Sequence, residues 1–370
     1  MKQIEIIQQA ADRLADVQPS SPILVGFDGF VDTIIKVVDA RTAHDNFEPM
    51  AEMTQFADRI RDAAGKSCNI ELVPHMVKLG GNGPILAHAL GELGYKITYM
   101  GALGRDGIHP VFQEFADACE RVVSLCDPAH TDALEFNDGK ILLGKMGSLD
   151  EVNWVNLLAH FPDEAIRELL SRMAMVACVN WTMLPFMNGI FKGITSVLQH
   201  IEHTIPVFVD LTDPRKRKQE DLIEALGLLS AMQGPANVIL GMNEMESEQV
   251  AESLGILTAR DLEYRADAIC SKLGLHMVVI HPRDSAYVAH KGESFHVHGP
   301  FTQAPKLTTG AGDVFNSGFC HGVLAGLSPH ESIAVGVCAS GFYVRNCRSA
   351  RTAELVDFMY RWASAGCGEI

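Results

Sequence analysis

Thr308-Thr309-Gly310-Ala311-Gly312-Asp313 carries the densest chemistry in the chain. Gly310 and Gly312 bracket a small alanine, so three consecutive residues put almost no side chain between backbone and ligand. An apolar run that reads as a helix follows from Val314. Glycine takes backbone angles that other residues resist. A tight glycine turn opening a helix aims several N–H groups at one point, and the helix dipole adds partial positive charge there, which suits a phosphoryl group. Asp313 stands at the edge of that cradle as a proton acceptor. Aspartate also caps helices, and that plainer role competes for the same residue.

Three further groups have residue types that bind polar ligands. Asp28 and Asp32 follow the apolar run Ile23–Phe27, and ligands of open α/β sheets bind beyond the carboxyl ends of strands. Gly80-Gly81-Asn82 precedes a helical run; its glycines let a ligand approach the backbone, and the asparagine offers a donor and an acceptor. Asn243 and Glu246, three apart at a helix start after Val238-Ile239-Leu240, share a face. There they can hold the water shell of Mg²⁺, an ion that prefers oxygen ligands, or they can simply cap the helix with the glutamate exposed. Asp210 and Asp213 end another strand at the same edge and are candidates for the outer shell of that ion.

Two tempting motifs fail. Gly65-Lys66-Ser67 invites a phosphate-binding P-loop, but that loop needs glycine at position 60, which is Ile60. His296 and His298 look like a metal pair, yet beside Lys291-Gly292-Glu293 they read as one face of a hairpin strand.

The elements that must position these residues follow an alternating rhythm. Helical patterns over 163–173, 185–201, 214–231 and 260–273 interleave with short apolar runs at 174–179, 206–210, 236–240 and 276–280. That rhythm argues for a parallel sheet covered on both faces. Earlier, residues 50–65 and 85–93 read as helices and 97–100 as a strand. Asn137-Asp138-Gly139, between Leu134–Phe136 and Lys140–Leu143, signals a hairpin that with Thr33–Val38 makes a small separate sheet. Ile4, Ile7, Ala11 and Leu14 give the N-terminus an amphipathic helix. No linker or repeat divides the chain, so one domain over 1–370 is expected, with lid strands within about 33–50 and 130–146.

The string from Thr308 to Phe319 resembles the second signature of the ribokinase-like, PfkB-type carbohydrate kinases. Gly80-Gly81 through Ala87, then Leu93-Gly94 and Gly101-Ala102-Leu103-Gly104-Arg105-Asp106, resembles their first signature, and Asn243–Glu246 matches their Asn-x-x-Glu motif. The resemblance runs from about 22 to 346. It implies a three-layer α/β fold, a central mostly parallel sheet with helices on both faces plus a small β lid. It also implies that ATP is the phosphoryl donor, with Asp313 as the base and Gly310, Ala311 and Gly312 as the anion hole. Asp32, then Asp28, with Gly80, Gly81 and Asn82, would hold the sugar; Asn243 and Glu246 would govern Mg²⁺ and phosphate. Where the family shows Thr-x-Gly-x-x-Gly for the nucleotide, this chain has His281, Arg283 and Ala286, so Arg283 would pair with a phosphate or obstruct an ordinary donor. Leu307 replaces an aspartate of the family's monovalent-cation site. A nucleoside or vitamin alcohol is the alternative acceptor, and a non-catalytic nucleotide- or sugar-binding regulator is the rival class.

Composition narrows the field. At 370 residues, with 47% hydrophobic and 21% charged, the chain has the make-up of a globular protein. A formal charge of −16 argues against a nucleic-acid or anionic-membrane surface. Nine scattered cysteines without a Cys-x-x-Cys pair read as reduced thiols, and with no apolar run of membrane-spanning length the expected location is the cytoplasm. A nicotinamide dehydrogenase would need Gly-x-Gly-x-x-Gly after the first strand, which is missing. An exposed lid has strand edges with which a second subunit could pair.

Overall fold

The computed structural model describes residues 3–257 and 261–368. In chain order its strands are β1 (Pro22–Phe27), β2 (Phe30–Ala43), β3 (Asn46–Pro49), β4 (Leu72–Gly80), β5 (Lys96–Gly101), β6 (Arg121–Ser124), β7 (Ala129–Phe136), β8 (Gly139–Lys145), β9 (Met175–Cys178), β10 (Ile205–Asp210), β11 (Ala236–Met242), β12 (Met277–Ile280), β13 (Ser285–His290) and β14 (Glu293–His298). Nine of them form one sheet in the order β14-β13-β12-β11-β10-β9-β1-β5-β6. Pairing is parallel from β12 across to β6, and the β13–β14 hairpin adds antiparallel strands at one edge.

The continuous apolar runs that marked these strands are buried on both sides. In β1, Ile23 and Val25 point to one core and Leu24 to the other; in the β10–β11 pair, Phe208 and Ile239 face the first core while Val207 and Leu240 face the second. Side chains alternate across a strand, so a strand between two helical layers must be apolar at every position. One layer contains the helices Gln3–Ala15, Asn82–Glu92, Ala311–Leu324, Pro329–Asn346 and Thr352–Ser364; the other includes Met187–Leu198, Gln219–Met232 and Leu262–Leu273. The expected helix over 214–231 begins as a single tight turn at Pro214–Lys216 before the α-helix proper.

The lid is a five-stranded sheet, β3-β2-β7-β8 with β4 also on β2. Its own small core joins Ile35, Val37, Leu134 and Phe136 to Met53 and Phe56 of the helix Met53–Asp62. The lid grows directly out of the main sheet. β2 starts three residues past the end of β1, and β4 ends two residues before the helix Asn82–Glu92. Those junctions hold Asp28 and Gly81, so the sequence positions that looked chemical lie where the two sheets meet.

His296 and His298 lie on β14, as the hairpin reading expected. None of the nine cysteines is paired. Among the described residues, no helix is long and apolar enough to cross a membrane.

Candidate active site

Asp28 departs from the sugar-contact expectation. It is fully buried, and its carboxylate accepts the backbone N–H groups of Asn82 at 3.0 Å and Gly83 at 2.8 Å and the Asn180 amide at 2.5 Å. Those two N–H groups are orphan donors of a helix first turn, so Asp28 anchors the helix Asn82–Glu92 with no carboxylate surface left for a ligand. Burial pushes its carboxyl up to about 6 against the opposing pull of these hydrogen bonds.

The glycine pair leaves room for these carboxylates. A Cβ on Gly80 would stand 2.3 Å from Asp32 Oδ2, and one on Gly81, whose φ is 103°, would stand 3.1 Å from Asp28 Oδ2. Asp32 itself is half-buried on β2, between Lys78 of β4 and Thr131 of β7, and it is the carboxylate at this junction that keeps access.

Asn82 connects this junction to the Gly310–Asp313 turn: its amide donates to Asp313 Oδ1 at 2.9 Å. Gly310 caps the helix Ala311–Leu324 in the left-handed region, φ 85°, where a side chain would be strained. The Ala311 N–H differs from expectation because it closes the turn onto the Thr308 carbonyl at 3.1 Å; Val314 N–H likewise bonds Gly310. The N–H groups of Gly312 and Asp313 have no acceptor among the described residues. Tyr343 holds the turn from behind by donating its hydroxyl to Thr309 O.

Asp313 is buried beside other acids. Burial first, then the charges of Asp210, Asp28 and Glu246, hold its carboxyl well above the ordinary carboxylate range, with only the Asn82 amide opposing.

Asn316 lies one turn beyond Asp313 and donates to Asp210 Oδ2 at 2.8 Å, leaving its own Oδ1 buried without a partner. The other Asp210 oxygen accepts the Thr212 N–H and hydroxyl. Thr212 and Asp213 then both take positive φ, 57° and 43°, which turns the Asp213 N–H onto Glu246 Oε1 at 2.9 Å. Asn243 and Glu246 form a reciprocal cap on the helix Glu244–Ser253. The capping alternative is therefore present, but with a buried glutamate, whose carboxyl is pushed up to about 7 by burial and by the Asp210 charge.

These oxygens suit a hydrated divalent cation. Asp210, Glu246 and Asp313 repel one another, and positive charge among them would relieve all three. Among the described residues no three acids, histidines or cysteines converge closely enough to cage an ion directly.

Beyond Gly312 opens a cleft of about 580 Å³. His281 forms part of its wall, its ring 4.8 Å from that of Phe315, and burial pulls its imidazole down to about 4, so the ring is neutral. Arg283 lies at 5.4 Å over the Phe301 ring and makes no ion pair among the described residues. Ala286 is buried in β13 and does not line the cleft.

Asn180 was missed from sequence, as was the role of Asn316. The i, i+3 spacing of Asp313 and Asn316 was a usable signal; a single asparagine between Val179 and Trp181 gave none.

Comparison with known proteins adds an independent line. The family model described as prokaryotic ketohexokinase matches residues 3–362. A ketohexokinase of Haloferax volcanii is 27% identical over 349 residues, which is 92% of this chain and 92% of that one. Among solved structures, a carbohydrate kinase from Agrobacterium tumefaciens superposes with a TM-score of 0.62 at 20% identity, covering 93% of this chain and 97% of its own. An Arabidopsis thaliana ribokinase complexed with ribose and ATP gives 0.62 at 16% identity, with 93% and 99% covered. At those identities the two structures speak for a shared fold.

Proposed function

The chain belongs to the prokaryotic ketohexokinase family and is a carbohydrate kinase of ribokinase-like fold, and we propose that it transfers the γ-phosphoryl group of ATP to a hydroxyl of a ketohexose. One observation carries the reading. Asp313 is held by Asn82, at the junction with the lid, while the neighbouring Gly312 lines the cleft. The base thus stands between an acceptor side and a donor side.

In this mechanism the sugar lies under the lid against Asp32 and Asn82, and the nucleotide fills the cleft past Gly312. Asp313 accepts the proton of the attacking hydroxyl while the Gly312 and Asp313 N–H groups meet charge growing on the transferred phosphoryl. Asn82 fixes the direction of the Asp313 carboxylate. Gly310 supports the turn geometrically, and Arg283 pairs with the phosphate tail. When bound, Mg²⁺ neutralises donor oxygens; Glu246 and Asn243, with Asp210, would hold it through water. The lid excludes water from the transfer.

The test is ADP release with Mg-ATP over D-fructose, other ketoses, aldoses, nucleosides and polyols. Ketohexose-dependent turnover with a sugar phosphate as product is the expected result. Turnover confined to a nucleoside, or nucleotide binding with no transfer to any acceptor, overturns the proposal.

We also infer self-association through the lid in the cytoplasm, where Met76 and Val77 on β4 and Leu142 and Leu143 on β8 are exposed. Light scattering of the full chain against a variant with charged residues at 142 and 143 tests this.

A further inference from the structure

Asn180 lies at the carboxyl edge of the main sheet, just past β9, the strand beside β1. Its backbone is left-handed, φ 61° and ψ 46°, a conformation that asparagine tolerates better than most residues. Only 2% of the residue is exposed. The side-chain amide donates to Asp28 Oδ2 at 2.5 Å, while Oδ1 is buried without a partner among the described residues. A left-handed residue with a side chain and an orphaned acceptor are both unfavourable. Features of that kind persist where the surroundings over-determine them, and they cluster at functional sites.

What Asn180 holds leads to the base. The same Asp28 carboxylate accepts the Gly83 N–H at 2.8 Å and the Asn82 N–H at 3.0 Å, and the Asn82 side chain donates to Asp313 Oδ1 at 2.9 Å. With almost no surface to offer a substrate, Asn180 can act on the reaction only along these bonds.

What holds Asn180 leads to the metal side. Trp181 is fully buried, and its indole N–H donates to Asn188 Oδ1 at 2.6 Å. The Arg217 guanidinium lies 4.1 Å over the Trp181 ring and donates to the carbonyls of Trp181 at 3.1 Å, Leu184 at 3.2 Å and Pro185 at 3.3 Å. The Thr182 N–H bonds the Leu211 carbonyl at 3.0 Å. Leu211 and Arg217 belong to the segment that begins with Asp210, and Asp210 accepts from Asn316, one turn past Asp313. The contacts thus close a ring that returns to the helix of Asp313, so the base is fixed from both ends.

We propose that Asn180 is a positioning residue for the transfer: through Asp28 and Asn82 it sets the direction of the Asp313 carboxylate, and Arg217 keeps it in register with the Asp210 loop. The inference rests on Asp313 being the base. A misplacement of about 1 Å at a reacting group costs roughly 100-fold in rate, which sets the scale for losing this support.

Asn180→Gly removes the amide and suits the left-handed backbone, so the turn itself is spared. With Mg-ATP and D-fructose its kcat should fall roughly 10- to 100-fold, while both KM values and calorimetric nucleotide binding stay within about threefold. Added to Asp313→Asn, the same change should lower kcat by less than about a further threefold, because a side chain that cannot take a proton gains little from being aimed. Arg217→Met keeps a stem over Trp181 and loses the donors; it should show the same kcat-only pattern at roughly tenfold, and it decides the matter where Asn180→Gly does not fold. A folded Asn180→Gly with wild-type kcat, a rise in sugar KM alone, or full additivity with Asp313→Asn overturns the inference and leaves the kinase assignment standing. No transfer by the wild-type chain to any acceptor overturns both.

Discussion

Replacing Asp313 by asparagine should separate what this residue does for catalysis from what it costs the fold. Asparagine keeps the oxygen that accepts the Asn82 amide, now at 2.9 Å, and has the same shape, so the two helix starts stay joined. It cannot take a proton. Losing a general base lowers kcat by roughly 100- to 10,000-fold, about 3–5 kcal/mol of barrier at about 1.4 kcal/mol per tenfold. Stability should move the other way. Folding raises the Asp313 pKa above its unfolded value, first by burial and then by Asp210, Asp28 and Glu246. A group shifted in that direction gives its full stability below the unfolded pKa and loses it as pH rises through the folded pKa. The neutral variant carries no such loss. Metal-free Asp313→Asn should therefore melt above the wild type at pH 8, with the gap closing as the pH approaches 4. A gain of about 1–2 kcal/mol, roughly 1–3 °C in a chain of this size, is the expected scale. Calorimetric melts across that pH range, with initial rates at saturating Mg-ATP and sugar, supply both readouts. A folded variant turning over within threefold of wild type refutes the base, and one melting lower at pH 8 refutes the crowding of charge.

Two other perturbations address the acceptor and metal sides. Gly80→Ala places a methyl group against the Asp32 carboxylate, so the sugar KM should rise roughly tenfold or more while nucleotide binding, measured calorimetrically, stays put; equal damage to both substrates would contradict the placement of Asp32. Glu246→Gln retains one acceptor for the Asp213 and Asn243 N–H groups but removes the charge, and the Mg²⁺ concentration giving half-maximal rate should rise roughly 10- to 100-fold. An unchanged Mg²⁺ titration would leave Glu246 as a helix cap alone.

The sheet and its helices were legible because a strand buried on both faces must be a short unbroken apolar run, and Val207-Phe208-Val209 and Met277–Ile280 are such runs. β4 was not. Leu72–Gly80 includes Pro74 and His75, most of it is exposed, and Pro74 sits at the register shift against β2, so neither alternation nor propensity marks it. The site divides in the same way. Gly310–Asp313 announces itself because its geometry is local: the turn, the cap and the free N–H groups all come from neighbouring residues. Which of Asp28 and Asp32 keeps access is a long-range matter, decided by N–H groups 54 and 55 residues further on and by an amide 152 residues away. The glycines before Asn82 show how the two scales mix. Their small size leaves room for a close approach, and an added Cβ on Gly80 or Gly81 would meet Asp32 or Asp28. In the proposed mechanism the glycine pair is linked to the base through the helix Asn82–Glu92: Asp28 fixes its first turn, that turn carries Asn82, and Asn82 donates to the Asp313 carboxylate. A change at the lid junction should thus be felt at the base without touching any residue of the anion-binding turn.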